Sequence, residues 1–236
     1  ERINRNCGST HLEVLREAVL TQHADLGIAF DGDGDRVLLI SPRGETIDGD
    51  RMMGIAALHM KERGTLDPTI IVATVMSNMG LEHALEQSGI AMLRTPVGDR
   101  HVAQAMLVHG AQLGGEQSGH IIFSDHSPTG DGILTAIKLL EISHERGRPL
   151  HNLADEIALY PQARADVTVA KPDALITDPY VASAIKQAKE RLGTEGRLVV
   201  RPSGTQPVVR VLVEASDEVL CNDVCTQITS AIEGAR

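Results

Sequence analysis

The chain has 236 residues, of which 42% are hydrophobic and 23% are charged, a composition typical of a globular protein with one or two domains. The formal net charge of −10 argues against nucleic acid or an anionic membrane as a partner. Three cysteines are too few for a disulfide framework, and no signal peptide or membrane-spanning apolar run is present, so we expect a cytoplasmic protein.

The apolar pattern predicts alternating helices and strands as far as residue 146. Thr10-His-Leu-Glu13 has the form of a capping box, which places Thr10 at the N-cap of a helix running to about residue 22. A further helix is predicted between Asp50 and Gly64. The other predicted elements are strands 25–30, 36–41, 69–75, 90–95 and 120–123, and helices 78–88, 99–109 and 131–146. This alternation favours an α/β layer with helices packed on a sheet.

After Pro161 the pattern changes to that of a small α+β domain. It predicts strands 164–170, 197–201 and 207–215 and helices 179–192 and 217–233. Cys221 and Cys225 lie one turn apart in the last helix with no further ligand cluster nearby, so we expect core thiols. The predicted fold class is therefore α/β, with mixed layers of sheet and helix followed by a small α+β C-terminal domain.

The loop Asp31-Gly-Asp-Gly-Asp-Arg36 carries the strongest chemical signal in the chain. Extended backbone would place Asp31, Asp33 and Asp35 on one side, where only a divalent cation such as Mg²⁺ or Ca²⁺ would offset their repulsion. An EF-hand is excluded, because Arg36 and Pro42 occupy the positions that need Gly and Glu. A solvated acidic turn is disfavoured by the apolar strands on both sides. A cation beside Arg36 would suit an anion such as phosphate.

A second loop, Gly114-Gly-Glu-Gln-Ser-Gly-His120, places a carboxylate, an amide, a hydroxyl and an imidazole among glycines. This set can hydrogen-bond the hydroxyl groups of a sugar. The alternative is that Glu116 and His120 are ordinary surface side chains.

A third loop, Arg201-Pro-Ser-Gly-Thr-Gln-Pro207, joins a guanidinium to two hydroxyls and a glycine turn between two strands. Its backbone N–H groups can face an anion, and phosphate is the natural fit. The alternative is a hairpin turn with an incidental arginine, and Arg210 on the next strand makes that less attractive.

These three loops resemble, in order, three of the four site loops of the α-D-phosphohexomutases, and the resemblance covers nearly the whole chain. The branch that acts on glucosamine phosphates is the most similar, because of Gln117 and four further stretches: NCGSTH at 6–11, VMSNMGLE at 75–82, VGDR at 97–100 and TGDG at 129–132. Gln206 departs from the family, which usually has Glu at this position, and we expect a modest effect.

The resemblance implies a role for each site residue. It assigns Mg²⁺ to Asp31, Asp33 and Asp35, catalysis to Arg36 and to His120 as a general acid or base, and the sugar to Glu116, Ser118 and, less securely, Arg100. It assigns the non-reacting phosphate to Arg201, Ser203, Gly204, Thr205 and Arg210. The implied reaction interconverts glucosamine 6-phosphate and glucosamine 1-phosphate, with a sugar 1,6-bisphosphate as intermediate.

The resemblance also implies a domain arrangement: the end of the second family domain at 1–46, the third at 47–160 and the fourth at 161–236. The phosphoserine loop of the family, with its Ser-His-Asn context, does not occur in these residues. We therefore expect a C-terminal part that is inactive alone and needs the N-terminal domains of the same enzyme. The other expected partner is a small phosphorylated amino sugar, and a homodimer is left open.

Two alternatives remain at this point. The first is a mannose or glucose phosphate mutase of the same family, which a substrate panel would separate. The second is a non-catalytic fragment that binds phosphosugars, which an upstream Ser-His-Asn loop would exclude.

Overall fold

The computed structural model describes residue 3 and residues 5–203 and 206–235. They form two compact units, Glu1–Ala158 and Leu159–Arg236. In the part of the chain described, no helix is both long and apolar enough to cross a membrane.

The first unit opens with helix α1 (Glu13–Gln22) and an antiparallel sheet in the order β1-β2-β3. Strands β1 (Gly27–Phe30) and β2 (Val37–Ile40) form a hairpin in which Phe30 pairs with Val37, and β3 (Thr46–Ile47) pairs with β2. The predicted capping box is wrong: the N-cap is Leu12, without a side-chain cap. The Thr10 hydroxyl instead lies 3.0 Å from Nδ1 of His11.

A four-stranded sheet in the order β5-β4-β6-β7 forms the centre of the first unit. Strands β4 (Ile70–Thr74), β5 (Ala91–Thr95) and β6 (Leu113–Gly115) are parallel, and β7 (Ile121–Phe123) is antiparallel to β6. Parallel neighbours need crossover connections, and helices supply them here. The crossover helices are α3 (Met79–Gln87) and α4 (Asp99–His109), and the unit also contains α2 (Gly49–Glu62), α5 (Gly132–Arg146) and α6 (Leu150–Ala154).

Short polar side chains fix where three of these helices begin. Asp48, Asn78 and Asp131 each accept a hydrogen bond from a backbone N–H in the first turn of α2, α3 and α5. The apolar faces of the helices then pack on the sheet, as when α4 contributes Val102 and Met106 against Val72 of β4. Backbone hydrogen bonds from the N–H of Val37 to Gly119 and from the N–H of Gly132 to Gly34 hold the loops 114–120 and 129–132 beside the β1–β2 hairpin.

The second unit is an antiparallel sheet in the order β8-β10-β9 covered by helices. Its strands are β8 (Gln162–Thr168), β9 (Gly196–Pro202) and β10 (Val208–Ala215), and its helices are α7 (Pro172–Ile176), α8 (Pro179–Leu192) and α9 (Glu218–Gly234). Alternate residues of β10, including Val209, Val211 and Val213, form one core with Val181 of α8 and Val224 of α9. On the other face of β10, Arg210 is partly exposed, whereas Leu212 and Glu214 are buried.

The predicted fold class is confirmed. Four short elements, β3, β6, α6 and α7, were not predicted, because segments of two to five residues are too short to show a period.

Candidate active site

The carboxylate loop of residues 31–36 turns around the side chain of Asp31. Oδ1 of Asp31 accepts hydrogen bonds from the backbone N–H groups of Gly34 at 3.1 Å and Arg36 at 3.2 Å. Gly34 has a φ of +77°, a conformation that glycine adopts without steric cost. The expectation of an extended loop is therefore wrong. A turn, rather than strand alternation, brings the three aspartates together.

Asp31, Asp33 and Asp35 each offer a carboxylate oxygen, and these oxygens lie within 4.8 Å of one another. Asp31 and Asp35 are half-buried, and Asp33 is exposed. Oδ1 of Asp35 is buried and has no hydrogen-bond partner among residues 5–203 and 206–235. Nε of Arg36 lies 3.7 Å from this oxygen, too far for a hydrogen bond, so the three carboxylates present hard oxygen ligands of the kind that Mg²⁺ prefers.

The two half-buried carboxyls differ in acidity. Burial raises the pKa of Asp35, and the neighbouring Asp31 raises it further. Burial also acts to raise the pKa of Asp31, but hydrogen bonds from Asp35 and the Arg36 backbone, together with the Arg36 charge, lower it overall. Nε of Arg36 lies 3.8 Å from Oδ2 of Asp31 and 3.7 Å from Oδ1 of Asp35.

His120 is 2% exposed and lies against the carboxylate loop. Its Nδ1 is 3.0 Å from Oδ2 of Asp35, and its Nε2 accepts a hydrogen bond of 3.2 Å from the backbone N–H of Gly130. Both ring nitrogens therefore face protein groups. The expected role of His120 as a general acid or base toward a substrate stays a prediction, because the hydrogen bonds of a catalytic group in a ligand-free site can rearrange when a substrate binds.

Residues 114–120, the expected sugar-binding loop, are hydrogen-bonded to the first residue of β2 and to the start of α4. The carbonyl of Gly119 accepts from the N–H of Val37 at 3.2 Å. Oε1 of Glu116 accepts from the N–H of Gly98 at 3.0 Å, and the hydroxyl of Ser118 lies 3.4 Å from Oε2 of Glu116. Glu116 is therefore held in one orientation, and Ser118 is exposed beside it.

Arg100 is exposed on α4 and lines a groove of about 860 Å³ with Gln104, Leu107 and Pro128. The described residues that line this groove include none of Asp31, Asp33 and Asp35 and none of residues 114–120. The structure therefore provides no contact in support of the expected sugar-binding role of Arg100.

Two guanidinium groups stand opposite each other on the sheet of the second unit. Arg201 of β9 is the register partner of Arg210 of β10, and directly opposed residues share one face of the sheet. Nη2 of Arg210 donates to Oε1 of Gln206 at 3.0 Å, whereas the buried Nε of Arg201 has no hydrogen-bond partner in the part of the chain described. Like charges placed so repel each other, and Asp166 of β8, which lies 3.7 Å from Nε of Arg210, offsets part of this repulsion.

The backbone N–H of Ser203 donates to Val208, which places Ser203 at the end of the same pair of strands. The other two residues expected to bind phosphate, Gly204 and Thr205, lie outside the described residues.

Sequence reasoning gave no role to three glycines that contact the site. Gly98 holds Glu116, Gly130 holds His120, and the N–H of Gly132 donates to the carbonyl of Gly34 at 2.9 Å. Their signals were the VGDR and TGDG stretches, but glycine has no side chain, so a contact made through its backbone leaves no residue type to interpret.

Two family profiles match most of the chain. Residues 48–160 match "Phosphoglucomutase/phosphomannomutase, alpha/beta/alpha domain III", and residues 162–231 match the C-terminal domain of the same family. Among similar curated proteins, the phosphoglucosamine mutase of Syntrophomonas wolfei is 47% identical over 99% of this chain. That of Desulforamulus reducens is 49% identical over 91%. This chain spans 52% and 48% of those two proteins, so it covers about half of their length.

Solved structures of the family share the fold. A phosphoglucomutase/phosphomannomutase family protein from Burkholderia thailandensis aligns over 96% of this chain and 50% of its own, with a TM-score of 0.79 and 25% identity. The Aspergillus fumigatus N-acetylphosphoglucosamine mutase, solved with GlcNAc-6P and magnesium, aligns over 97% of this chain and 57% of its own, with a TM-score of 0.78 and 22% identity. The chain belongs to the phosphoglucomutase/phosphomannomutase family.

Proposed function

We propose that this chain is the C-terminal part of a phosphoglucosamine mutase, which interconverts glucosamine 6-phosphate and glucosamine 1-phosphate. The convergence of Asp31, Asp33 and Asp35 within 4.8 Å carries the proposal, because it offers a ready set of ligands for Mg²⁺. The names of relatives that are 47% and 49% identical favour glucosamine over other hexoses.

The residues of the first unit take separate roles in this proposal. Asp31, Asp33 and Asp35 would hold Mg²⁺, which when bound supplies a Lewis acid that neutralises phosphoryl oxygens. Arg36, 43% exposed beside these carboxylates, can reach toward a phosphoryl group and offset its charge. Glu116, fixed by Gly98, accepts hydrogen bonds from sugar hydroxyls, and Ser118 both donates and accepts.

In the second unit, Arg201 and Arg210 bind the phosphate that does not react. Two opposed guanidinium groups can each donate to phosphate oxygens, and a phosphate between them removes their repulsion. Ser203 at the end of the strand pair extends this anion site, together with Gly204 and Thr205.

The domain assignment follows the same proposal. Residues 1–46 would complete a second family domain, 47–160 the third and 161–236 the fourth. The earlier domains would bring the serine that carries the transferable phosphate, and a sugar 1,6-bisphosphate would be the intermediate between the two half-reactions.

A chimera tests the proposal. The N-terminal half of the Syntrophomonas wolfei relative is joined to this chain, and turnover is measured on glucosamine, glucose and mannose 6-phosphates. We expect the highest kcat/KM with glucosamine 6-phosphate, no turnover by the 236-residue chain alone, and a large loss of kcat in the Asp33→Asn chimera.

The other outcomes identify the alternatives. A preference for mannose or glucose phosphates would assign the chain to another branch of the family. An inactive chimera that still binds glucosamine 6-phosphate would favour a non-catalytic binding fragment.

A further inference from the structure

Three loops follow the parallel strands β4, β5 and β6 at one edge of the central sheet: 75–78, 96–98 and 116–120. The first turn of α2 has no part in the proposed chemistry, yet it contacts the first and the third of these loops. We propose that Gly49 and Asp50 in this turn are positioning residues that hold Glu116 in place. The inference rests on the proposed function only in that a sugar is the ligand of Glu116.

Gly49 packs directly on the backbone of the expected sugar-binding loop. Its N–H donates to the carbonyl of Gln117 at 3.0 Å. A Cβ atom on Gly49 would lie 2.0 Å from the carbonyl oxygen of Glu116, a distance that real Cβ atoms do not adopt. Glycine therefore allows α2 to begin this close to the loop, and a side chain at the same position would push the backbone of Glu116 away.

Asp50 ties the same turn of α2 to the start of α3. Its side chain is fully buried, and Oδ2 accepts a hydrogen bond of 2.9 Å from the backbone N–H of Asn78. Asn78 is the N-cap of α3, where its own Oδ1 accepts from the N–H of Gly80 at 2.8 Å. A buried donor that loses its acceptor is costly, so Asp50 fixes where the first turn of α2 lies relative to residues 75–78.

The segment 75–78 is a firm base for this contact, because Arg94 of β5 holds it. Nη1 of Arg94 donates to the carbonyls of Thr74 at 3.3 Å and Ser77 at 2.8 Å. Nη2 of the same guanidinium donates to Oε2 of Glu82 in α3 at 2.7 Å. A charged group that bonds both backbone and carboxylate makes strong contacts, so the position of the segment passes through Asp50 to α2.

Glu116 is held from two sides as a result. Oε1 accepts from the N–H of Gly98 at 3.0 Å, and the carbonyl accepts from the N–H of Gly119 at 3.0 Å and lies against Gly49. A displacement of about 1 Å in a group that positions a substrate can lower the rate about a hundredfold. A small shift of the first turn of α2 should therefore weaken what Glu116 does for the sugar.

Hydrogen exchange of the 236-residue chain, followed by NMR, tests the positioning without a substrate. The amides of Gly98 and Gly119 donate to Glu116 and report its position, whereas the amides of β4 report global opening. In Asp50→Ala, the two reporter amides should exchange about tenfold faster relative to those of β4. Gly49→Ala should have at least this effect. Asp50→Asn keeps an oxygen acceptor, so it should lose less protection than Asp50→Ala.

Gly54→Ala is the matched control in the same helix. Its added Cβ would lie 2.6 Å from Cδ1 of Ile157, so it disturbs the packing of α2 at a distance from the expected sugar-binding loop. We expect its reporter amides to keep the wild-type ratio to those of β4. Circular dichroism establishes that each variant is folded. Reporter amides that keep the wild-type ratio in folded Asp50→Ala or Gly49→Ala would overturn the proposal.

Kinetics of the chimera separate positioning from a loss of stability. Asp50→Ala should lower kcat/KM for glucosamine 6-phosphate about tenfold when Glu116 is present. In a Glu116→Ala background the same substitution should have an effect of less than about twofold, because Asp50 acts through Glu116. Equal losses in the two backgrounds would overturn the proposal. An inactive wild-type chimera would instead contradict the proposed function, and hydrogen exchange would still decide the positioning.

Discussion

At the scale of single residues, the clearest prediction concerns the opposed pair Arg201 and Arg210. In the proposed function, the phosphate that they bind stays bound while the other end of the sugar reacts, so their contacts are similar in the ground state and the transition state. Such uniform binding affects KM more than kcat. A charge-assisted contact is worth roughly 1.5–3 kcal/mol, so in the chimera Arg201→Ala should raise KM on the order of tenfold to a hundredfold.

Steady-state kinetics on glucosamine 6-phosphate provides the measurement. Arg201→Lys should recover part of the loss, because an ammonium lacks the planar fork of a guanidinium. An Arg201→Ala enzyme with normal KM and a collapsed kcat would place Arg201 at the reacting phosphate instead.

Gln206 provides the matched control for this strand pair. Its Oε1 accepts from Arg210, and a glutamate there would keep the hydrogen bond while adding a negative charge. Exposed ion pairs are worth about 0–1 kcal/mol, so Gln206→Glu should raise KM less than about threefold. The same substitution restores the residue that the family usually has.

At the scale of elements, the packing of α2 on α5 contains an acid-sensitive contact. Nε2 of His59 lies 3.2 Å from Oε2 of Glu145. Nδ1 of His59 accepts a hydrogen bond of 3.4 Å from Nε of Arg146. Burial lowers the pKa of His59, and the charges of Arg146 and Arg63 lower it further against the opposing effect of Glu145. Protonation of this imidazole is therefore less favourable in the folded chain than in the unfolded one.

This shift has a definite sign. Because the folded pKa lies below the unfolded one, the unfolded chain takes up the proton first as pH falls. The contribution to the free energy of unfolding is complete above the unfolded pKa of about 6.5 and is lost as pH falls toward the folded pKa. Urea unfolding at pH 7.5 and 5.5 should show a smaller pH-dependent loss in His59→Gln than in wild type. An equal loss in both would contradict this assignment.

The cysteines of α9 provide a second test at this scale. Burial raises the pKa values of Cys221 and Cys225, whereas Cys7 is exposed. Thiolates are the reactive form, so a disulfide reagent at pH 8 should modify Cys7 quickly and the other two only after unfolding. Rapid modification of all three thiols in the native chain would show that the core of the second unit opens readily.

Residues that cap, begin or end a helix decided which elements could be predicted. Helix α8 was predicted to the residue, because Asp178 caps it, Pro179 begins it and Gly193 follows it. The predicted start of α1 was wrong, because a capping-box pattern does not show which residue leaves the helical conformation.

The features of the site can also be divided into those that the sequence predicts and those that it does not. Acidic and basic side chains identified residues 31–36 and 201–207 as candidate ligand-binding loops from the sequence alone. The turn around Asp31, the engagement of His120 and the support from Gly130 and Gly132 depend on backbone groups brought together by the fold. No side-chain pattern reports such contacts.

At the scale of the whole molecule, the net charge of −10 attracts cations to the entire surface. This diffuse attraction is screened beyond about 8 Å at physiological ionic strength, whereas a site built from converging oxygens is screened much less. Cation binding at about 0.15 M salt therefore separates the carboxylate loop from the acidic surface around it.

The central claim is that Asp31, Asp33 and Asp35 form one divalent-cation site in the folded chain. Titration with Mn²⁺ at physiological ionic strength, followed by electron paramagnetic resonance, tests it most directly. We expect one site per chain that Mg²⁺ displaces, and a loss of affinity on the order of tenfold or more in a folded Asp33→Asn variant, because affinity depends on the number of charged ligands. Mn²⁺ binding that is weak, multiple and equal in the two proteins would contradict the claim.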